Sequence, residues 1–514
     1  MAKTFYVSTP IYYVNDVPHI GHAYTTVAAD ALARWRRLVG DSVFFLTGTD
    51  EHGQKIERTA QDGGEEPREL ADRVVMRFQK LWELLGITNS DFIRTTEQRH
   101  KRSVQELFRR IESKGDIYLG EYEGWYDVRE EAFITDTQYE EFMEMPEDKR
   151  PPIDRVKEES YFFRLSEYEK PLLEHYRANP GFVEPSYRMN EVARFVEGGL
   201  NDLSISRTTF SWGIPVPNDP KHVMYVWFDA LTNYLTGAGF PDEGERFEEV
   251  WPCDIHIVGK DILRFHAVYW PAFLMSAGLP IPRQVFAHGW WTVEGEKMSK
   301  SLGNVVDPYQ VVEEFGADAL RYFLLREIPF GGDGDFSRAA LIGRINGDLA
   351  NALGNLVSRS LGMIERYRGG VVPEPGGYEP LDNALIQRAI KTTELLEESM
   401  KIVAFNKALT AVWEFISEVN KYVDETAPWT LKKQGDERRL DTVLYVLAES
   451  LRVVSAMLYP FLPASSGEVR RRLGIPGSAE RGGIARIKEW GVTAPGTLVE
   501  KGPSLFPRYQ AHAS

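Results

Sequence analysis

Residues 1–50 constrain the fold more than any other stretch, because an apolar run, a helical pattern and a second apolar run follow one another there. Residues 5–9 predict a strand, residues 20–38 a helix and residues 43–46 a second strand. Such β-α-β units build parallel sheets, in which ligands bind at the carboxyl ends of the strands. We therefore expect an α/β fold with its binding site at one edge of a sheet.

The motif His19-Ile20-Gly21-His22 lies at the start of the predicted helix, directly after Pro18. Free backbone N–H groups and the helix dipole attract phosphate at such a position. Gly21 has no side chain, which would let an adenine ring lie against the backbone. The motif therefore predicts a nucleotide site, although two histidines at a helix start can also be structural.

A second motif, Lys297-Met298-Ser299-Lys300-Ser301, combines two lysines with two hydroxyl groups. Lysine can neutralise phosphate as a compact charge, and Gly295 and Gly303 on either side would let the loop swing. Such a loop would close on the charge of a leaving pyrophosphate. Taken alone, the motif also fits an exposed turn with ordinary surface lysines.

Composition and charge exclude several classes of protein. Cys253 is the single cysteine among 514 residues, so a disulfide framework or a cysteine-rich zinc site is excluded. Because the sequence has neither a signal core nor a membrane-length apolar span, we expect a soluble cytoplasmic protein. A net charge of −16 argues against indiscriminate nucleic-acid binding, but a specific RNA is not excluded. The basic groups at 34–37 and 470–472 fit either an RNA footprint or solvated helix faces.

Composition and hydrophobic pattern change along the chain, which predicts several domains. Residues 115–220 are aromatic and acidic, which indicates an inserted domain. Apolar runs at 223–229 and 254–261 predict late strands of the first sheet, and the pattern at 308–325 predicts a helix after Asp307. From about residue 338 onward helical periodicity dominates and predicts a helical bundle.

The two motifs, in this order, resemble those of a class I aminoacyl-tRNA synthetase. Four further stretches resemble the methionyl-tRNA synthetase family closely: Thr9-Pro10-Ile11-Tyr12-Tyr13-Val14-Asn15, Tyr225-Val226-Trp227-Phe228-Asp229-Ala230, Gly259-Lys260-Asp261-Ile262 with Phe265 and His266, and Asn420-Lys421-Tyr422-Val423-Asp424-Glu425-Thr426-Ala427-Pro428-Trp429. The resemblance spans nearly the whole chain.

This resemblance implies a Rossmann-like doubly wound parallel sheet, an inserted connective domain, a stem-contact module and a C-terminal α-helical bundle. The implied boundaries are 1–117 and 223–290 for the two halves of the Rossmann catalytic domain, 118–222 for the connective-peptide domain, 291–340 for the lysine-loop and stem-contact module, and 341–514 for the anticodon-binding domain.

The resemblance also implies roles for individual residues. The expected catalytic residues are His19, His22, Lys297 and Lys300, and ATP would also be bound by Gly21, Gly259, Asp261, Trp291 and Ser299. The expected methionine-binding residues are Ile11, Tyr13, Asp50, Trp227, Leu231, Tyr234, Ile262, His266 and Trp270. Asp50 would hold the ammonium group, and aromatic faces suit an unbranched thioether, although each aromatic alone also fits a core position. The expected anticodon-binding residues are Asn351, Asn355, Arg359, Pro428 and Trp429.

The implied reaction activates L-methionine with ATP and Mg²⁺ and then charges the initiator and elongator forms of tRNA(Met). We expect a monomer that binds no membrane. Many members of the family carry zinc knuckles in the insertion. Here that region has Asp127, Arg129, Glu130 and Glu131 and no cysteine, so no structural zinc is expected.

Other classes of protein fit parts of the same pattern. The leucine, isoleucine and valine enzymes would need a larger insertion for editing, and a cysteine-specific relative would need a zinc site. A small-metabolite adenylyl- or cytidylyltransferase would leave the helical third unexplained. A synthetase-like RNA-binding protein without activity would have a degenerate active site, whereas both motifs and Asp50 are intact.

Overall fold

The computed structural model describes residues 4–15, 17–127, 132–134, 136–146, 150–293, 295–297, 305–480 and 483–510. The chain forms two compact units. Unit 1 comprises Met1–Pro18, Phe44–Lys80 and Asn89–Ala287, and unit 2 comprises His19–Val43, Leu81–Thr88 and His288–Ser514. Within the described ranges, no helix is long and apolar enough to cross a membrane.

The strands are β1 (Phe5–Tyr13), β2 (Val43–Asp50), β3 (Asp91–Arg94), β4 (Ile117–Asp127), β5 (Ala132–Ile134), β6 (Ile153–Phe163), β7 (Val183–Glu184), β8 (Leu203–Ser204), β9 (Ser206–Arg207), β10 (Pro215–Val216), β11 (Asp219–Met224), β12 (Ile255–Gly259), β13 (Val285–His288), β14 (Trp291–Val293), β15 (Glu296–Lys297) and β16 (Gly334–Phe336).

The helices are α1 (Ile20–Leu38), α2 (Gln54–Gly63), α3 (Pro67–Leu85), α4 (Gln98–Ser113), α5 (Asp136–Glu144), α6 (Glu169–Ala178), α7 (Ser186–Glu197), α8 (Val226–Leu231), α9 (Asn233–Ala238), α10 (Glu245–Val250), α11 (Trp270–Ala277), α12 (Pro308–Phe315), α13 (Ala317–Arg326), α14 (Arg338–Arg344), α15 (Asn355–Arg368), α16 (Pro380–Lys401), α17 (Phe405–Thr426), α18 (Pro428–Gln434), α19 (Glu437–Leu458), α20 (Pro463–Arg472) and α21 (Gly483–Lys488). Short 3₁₀ segments at Leu165–Tyr168 and Lys260–Ile262 and π-helical segments at Phe265–Tyr269 and Ile345–Gly354 complete the set.

Unit 1 is built on a six-stranded sheet in the order β3-β2-β1-β12-β13-β7. The pairs β1–β12, β2–β3 and β13–β7 are parallel, with Val7 opposite Ile255 and Leu46 opposite Asp91. Strands β1, β2 and β12 therefore end at the same edge of the sheet, where the sequence places the binding site. The predicted α/β fold with a doubly wound parallel sheet is confirmed. The run at 254–261 contains β12 of this sheet, but the prediction that 223–229 is another of its strands is wrong: β11 ends at Met224 in a separate antiparallel sheet, and Val226–Leu231 is helix α8.

Both early strands are longer than their apolar runs predict. Strand β1 continues through Pro10-Ile11-Tyr12-Tyr13, which are mostly half-buried. Strand β2 continues through the buried residues Thr47, Gly48 and Thr49, and Thr47 accepts a hydrogen bond from Thr9 on β1 at 2.8 Å. Gly48 is required in this strand, since a Cβ atom there would lie 2.0 Å from the carbonyl oxygen of Ile93 on β3. Pairing with its neighbours thus extends β2 to Asp50, four residues beyond the end of its apolar run at residue 46.

The region predicted as an insertion contains a separate antiparallel sheet in the order β5-β4-β6-β8. Strands β4 and β6 pair over their full length, from Ile117 opposite Phe163 to Asp127 opposite Ile153. The ring of Trp125 on β4 stacks on Tyr139 at 3.8 Å between centroids. Arg129, Glu130 and Glu131, cited in the prediction that no zinc is bound, lie outside the described residues.

Unit 2 contains α1, a small sheet in the order β15-β14-β16 and the C-terminal helices. The predicted helix at 20–38 agrees with α1. The helix predicted at 308–325 is instead two helices, α12 and α13, because Gly316 between them has a φ of 87°. Helices α16, α17 and α19 are long and share a buried apolar core, so the predicted helical bundle is confirmed.

A buried ion pair joins α1 to α13 in unit 2. Asp30 accepts hydrogen bonds from Arg34 at 2.7 Å and lies 2.8 Å from a guanidinium nitrogen of Arg321, and both side chains of the Asp30–Arg321 pair are fully buried. Arg321 also donates to the carbonyl oxygens of Pro460 and Phe461, just after α19. The helix that begins at the histidine motif is therefore held to the C-terminal bundle through one guanidinium group.

Candidate active site

The carboxyl ends of β1 and β2 place Tyr13 and Asp50 close together in unit 1. Asp50 is the last residue of β2, is 4% exposed, and its carbonyl oxygen accepts a hydrogen bond from Val14 at 3.3 Å. Ile11 and Tyr13 are partly buried and pack against the hydrophobic core of the unit. The structure thus brings a buried carboxylate to the end of a strand whose neighbour carries two apolar side chains.

The side chains of Tyr234 and His266 form a buried polar pair with defined donor and acceptor. His266 Nδ1 lies 3.0 Å from the carbonyl oxygen of Ile262, which only accepts, so the proton of the neutral ring is on Nδ1. His266 Nε2 then accepts a hydrogen bond from the Tyr234 hydroxyl at 2.7 Å. Burial lowers the pKa of His266 to about 4, so the ring is neutral near pH 7.

A second neutral histidine lies behind this pair. The His256 ring packs against Tyr234 with 4.0 Å between centroids, and His256 Nδ1 is 2.6 Å from the hydroxyl oxygen of Ser8 on β1. Burial, followed by the nearby His266, holds the pKa of His256 well below its usual value. Neither His256 nor His266 therefore carries a charge near pH 7, which suits an apolar ligand beside them.

Aromatic rings surround the Tyr234–His266 pair. Trp227 on α8 stacks on Phe265 with 3.7 Å between centroids and meets the His266 ring edge-on at 6.3 Å. Trp270 is fully buried, with its ring centroid 6.0 Å from that of Tyr234. Leu231 belongs to the same core cluster, and Ile262 packs against it. The structure therefore brings Trp227, Trp270 and the backbone of Ile262 next to the Tyr234–His266 pair.

His52, Asp229 and His100 form a buried network that the sequence motifs do not predict. Asp229 Oδ2 accepts from His52 Nδ1 and Asp229 Oδ1 from His100 Nε2, both at 2.7 Å. Burial raises the pKa of Asp229, but the two histidines outweigh this effect and the pKa falls to about 2. His52 lies two residues after Asp50 and Asp229 two residues after Trp227, so the network fixes both groups. The sequence does contain one indication of this network. Asp229 is a carboxylate within an apolar run, and a buried carboxylate needs hydrogen-bond donors around it.

Gly259 and Asp261 lie at the carboxyl end of β12. The Asp261 carboxylate lies against the backbone of Gly259, since a Cβ atom on that residue would be 2.5 Å from Asp261 Oδ1. Asp261 lies in the short 3₁₀ segment that follows β12 and is solvent-exposed. An exposed carboxylate at a strand end can accept hydrogen bonds from sugar hydroxyl groups.

The two histidines of the first motif cap their own helix in unit 2. His19 Nδ1 accepts from the backbone N–H of Gly21 at 3.1 Å, and His22 Nδ1 accepts from that of His19 at 3.2 Å. In each neutral ring the proton is therefore on Nε2, which is a donor suited to phosphate oxygen. Burial and the neighbouring His19 hold the pKa of His22 well below its usual value. Gly21 is tightly placed, since a Cβ atom would lie 2.9 Å from the His19 ring.

The strand that leads to the lysine motif is packed against the same helix. Trp291 on β14 is 3% exposed and meets Tyr24 of α1 edge-on at 5.6 Å between centroids. The hydroxyl oxygen of Thr25 is 2.7 Å from His288 Nε2, just before β14. Lys297 lies on β15, opposite Thr292, whereas Met298, Ser299, Lys300 and Ser301 lie outside the described residues. Unit 2 thus holds the histidine motif and the first residue of the lysine motif on connected elements.

The residues predicted to meet the anticodon lie on the helices of unit 2. Asn351 and Asn355 are exposed, and Trp429 is 40% exposed, directly after the buried Pro428 that begins α18. Arg359 on α15 forms an ion pair with Asp424 at 2.6 Å, near the end of α17. Because α17 leads directly into α18, this ion pair brings α15 close to the segment that carries Trp429.

Comparison with known families agrees with this arrangement. Residues 5–361 match the family model "tRNA synthetases class I (M)", and residues 372–501 match "Anticodon binding domain of methionyl tRNA ligase". The chain belongs to the methionyl-tRNA synthetase family. It is therefore a class I ligase, and the alternative families considered from the sequence are wrong.

Curated members of the methionyl-tRNA synthetase family align with nearly the whole chain. The methionine–tRNA ligase of Caldanaerobacter subterraneus subsp. tengcongensis is 51% identical over 99% of this chain and 79% of its own length. That of Thermotoga maritima is 48% identical over 99% of this chain and 80% of its own. The Mycobacterium tuberculosis methionyl-tRNA synthetase in complex with methionyl-adenylate has a TM-score of 0.93 at 47% identity, covering 98% of this chain and 100% of that structure.

Proposed function

We propose that the residues assigned above carry out the family's reaction in two steps. L-Methionine and ATP form methionyl-adenylate with release of pyrophosphate, and the 3′-terminal adenosine of tRNA(Met) then takes the methionyl group with release of AMP. The observation that carries this proposal is the neutral Tyr234–His266 pair inside an aromatic wall, together with the buried carboxylate of Asp50.

Methionine recognition follows from the chemistry of unit 1. Asp50 binds the ammonium group, and Ile11 contributes backbone contacts. Tyr13, Trp227, Leu231, Tyr234, Ile262, His266 and Trp270 surround the side chain. A thioether is polarizable and unbranched, so aromatic faces favour it over branched apolar side chains. The neutral state of His266 avoids placing a charge beside the sulfur.

ATP recognition uses the strand-end residues and the two sequence motifs. Gly259 and Asp261 bind the ribose, Gly21 lets adenine approach the backbone, and the backbone near Trp291 reads the adenine edge. His19 and His22 donate from Nε2 to phosphate oxygens, and Lys297, Ser299 and Lys300 neutralise the leaving pyrophosphate. Because charge builds up on the phosphates as the bond breaks, these donors act mainly in the transition state.

Magnesium enters as the ATP complex in this proposal, since phosphate oxygens supply much of its coordination in nucleotide-dependent enzymes. Bound to the ATP phosphates, Mg²⁺ would offset part of their negative charge. Within the part of the chain that the structure describes, no group of three or more His, Cys, Asp or Glu side chains could hold a metal. We propose a form of the family without structural zinc, because Cys253 is the single cysteine of the sequence.

The helical bundle reads tRNA(Met), in both its initiator and elongator forms. An unstacked anticodon base lies on Trp429 after Pro428, and Asn351, Asn355 and Arg359 meet base edges, since single-stranded bases are recognised by stacking and hydrogen bonds. The enzyme works as a monomer in the cytoplasm and binds no membrane.

Charging of tRNA with labelled amino acids tests the proposed function. We expect the purified full chain, with ATP and Mg²⁺, to charge initiator and elongator tRNA(Met) with methionine and with no other amino acid. Charging of one tRNA form alone would refute the shared anticodon site, and absence of methionine charging would refute the reaction.

A further inference from the structure

A cavity of about 210 Å³ lies within the helical bundle of unit 2, and three arginines line it. Arg452 belongs to α19, Arg470 to α20 and Arg486 to α21. The remaining lining is mostly apolar or small, with the hydroxyl groups of Thr493 and Thr497. None of the residues assigned above to methionine, ATP or the anticodon lines this cavity.

Arg452 is neutralised inside the protein. Its guanidinium group lies 2.7 Å from a Glu449 carboxylate oxygen and donates to the carbonyl oxygens of Arg486 and Glu489 at 2.8 and 2.6 Å. Glu449 in turn accepts from the backbone N–H groups of Gly491 and Val492. The Arg452–Glu449 pair is thus a complete structural unit that adds no net charge to the cavity.

Arg470 is different, because no carboxylate within the described ranges pairs with it. Its side chain donates only to the carbonyl oxygens of Gly477 and Ser478, at 3.4 and 3.3 Å, although the residue is 8% exposed. The neighbouring Arg471, in contrast, forms ion pairs with Glu468 and Glu500. Burial lowers the pKa of Arg470, and Arg452 and Arg486 lower it further. A buried charge without a counter-charge is costly.

Arg486 adds a second uncompensated charge at the exposed side of the cavity. The residue is solvent-exposed, and within the described part of the chain its side chain forms no ion pair. The cavity therefore presents two positive charges that lack a protein carboxylate. A phosphate group carries a charge of about −1.5 to −2 at pH 7, and guanidinium groups bind it with paired donors.

We propose that this cavity is a binding site for a small phosphate-bearing anion, held by the guanidinium groups of Arg470 and Arg486. The charge of the two arginines matches one phosphate dianion better than one carboxylate. The recessed position of Arg470 favours a small ligand over a polynucleotide backbone, which needs a charged surface along its length. Free phosphate and the phosphate of a small metabolite share this chemistry.

Calorimetric titration of the full chain with inorganic phosphate, and separately with AMP, tests the site. The active site is first filled with a non-hydrolysable methionyl-adenylate analogue, so that only additional sites are measured. We expect one further site, weakened at least tenfold by Arg486→Gln and abolished by Arg470→Gln. The control Arg471→Gln removes the same charge from an exposed neighbour and should bind as the unmodified chain does. Phosphate binding equal to that of AMP indicates free phosphate, and tighter AMP binding indicates a phosphorylated metabolite.

Several outcomes would overturn the proposal. Binding that is absent, or that is unchanged in Arg470→Gln and Arg486→Gln, would show that the arginines serve only the fold. If Arg470→Gln does not fold, Arg486→Gln and Arg470→Lys decide the question, since the lysine keeps the charge without the paired donors. A raised KM for tRNA in Arg486→Gln, without phosphate binding, would identify RNA as the occupant instead.

Discussion

Asp229→Asn should weaken methionine binding without touching the ligand. The fall of the pKa of Asp229 from 3.8 to about 2 corresponds to about 2.4 kcal/mol in favour of the ionised carboxylate, at about 1.36 kcal/mol per pH unit. An asparagine keeps one hydrogen bond from a histidine but turns its own N–H₂ group toward the other ring. If all of this free energy serves to hold Asp50 and Trp227 in position for methionine, its loss lowers the methionine affinity by up to about 60-fold.

The assay is methionine-dependent exchange of pyrophosphate into ATP, with KM determined separately for methionine and ATP. We expect the KM for methionine to rise by roughly 10- to 60-fold and the KM for ATP to stay within about twofold. Asp242→Asn is the matched control, because this exposed carboxylate lies 3.9 Å from its nearest arginine in the same unit. A folded Asp229→Asn variant with an unchanged KM for methionine would refute the positioning role of the network.

The acid sensitivity of this network has a definite sign. Because the pKa of Asp229 is lower in the folded chain than in the unfolded one, its contribution to stability is complete above pH 4 and is lost as the pH falls through about 2.

Three further predictions concern other parts of the chain. Trp429→Ala should lower tRNA charging by at least about fivefold, since stacking of one base is worth about 1–3 kcal/mol, and should leave pyrophosphate exchange unchanged. Equal losses in both assays would refute the anticodon role. Methionine affinity, followed by calorimetry, should be constant between pH 6.5 and about 8, where the methionine ammonium group stays protonated. It should fall as the pH drops toward 4, because burial lowers the pKa of His266 to about 4 and protonation removes the acceptor for Tyr234; a transition centred at pH 6.5 would contradict this. Asp30→Asn should cost about 3–5 kcal/mol of unfolding free energy in urea, because it leaves Arg321 buried without its carboxylate, and a cost below about 1 kcal/mol would argue against a structural role for the pair.

Local patterns predicted the secondary structure best where short-range chemistry decides it. Helix α1 begins and ends as predicted, since its caps and its periodicity lie within the helix itself. The break at Gly316 was missed because a helical pattern continues on both sides of a residue with positive φ. The far end of β2 was missed because Thr47 and Thr49 are polar yet buried, and the hydrogen bond from Thr9 on β1 to Thr47 is not evident from either strand alone.

The site was only partly predictable for the same physical reason. The motifs and strand ends indicated which residues carry the chemistry, and the resemblance supplied their roles. The network of His52, Asp229 and His100 depends on pairs 177 and 129 residues apart, so its partners become evident only in the folded chain. The capping of α1 by His19 and His22, which sets the proton on each Nε2, also required atomic positions.

Pyrophosphate exchange into ATP, measured with methionine, leucine, isoleucine and cysteine in turn, tests the central claim most directly. The neutral Tyr234–His266 pair and its aromatic wall predict rapid exchange with methionine and exchange at least about tenfold slower with each of the others, since a pocket of apolar contacts discriminates by about 1–3 kcal/mol per methylene group. Exchange with leucine at the rate found for methionine, or no exchange with methionine, would contradict the account.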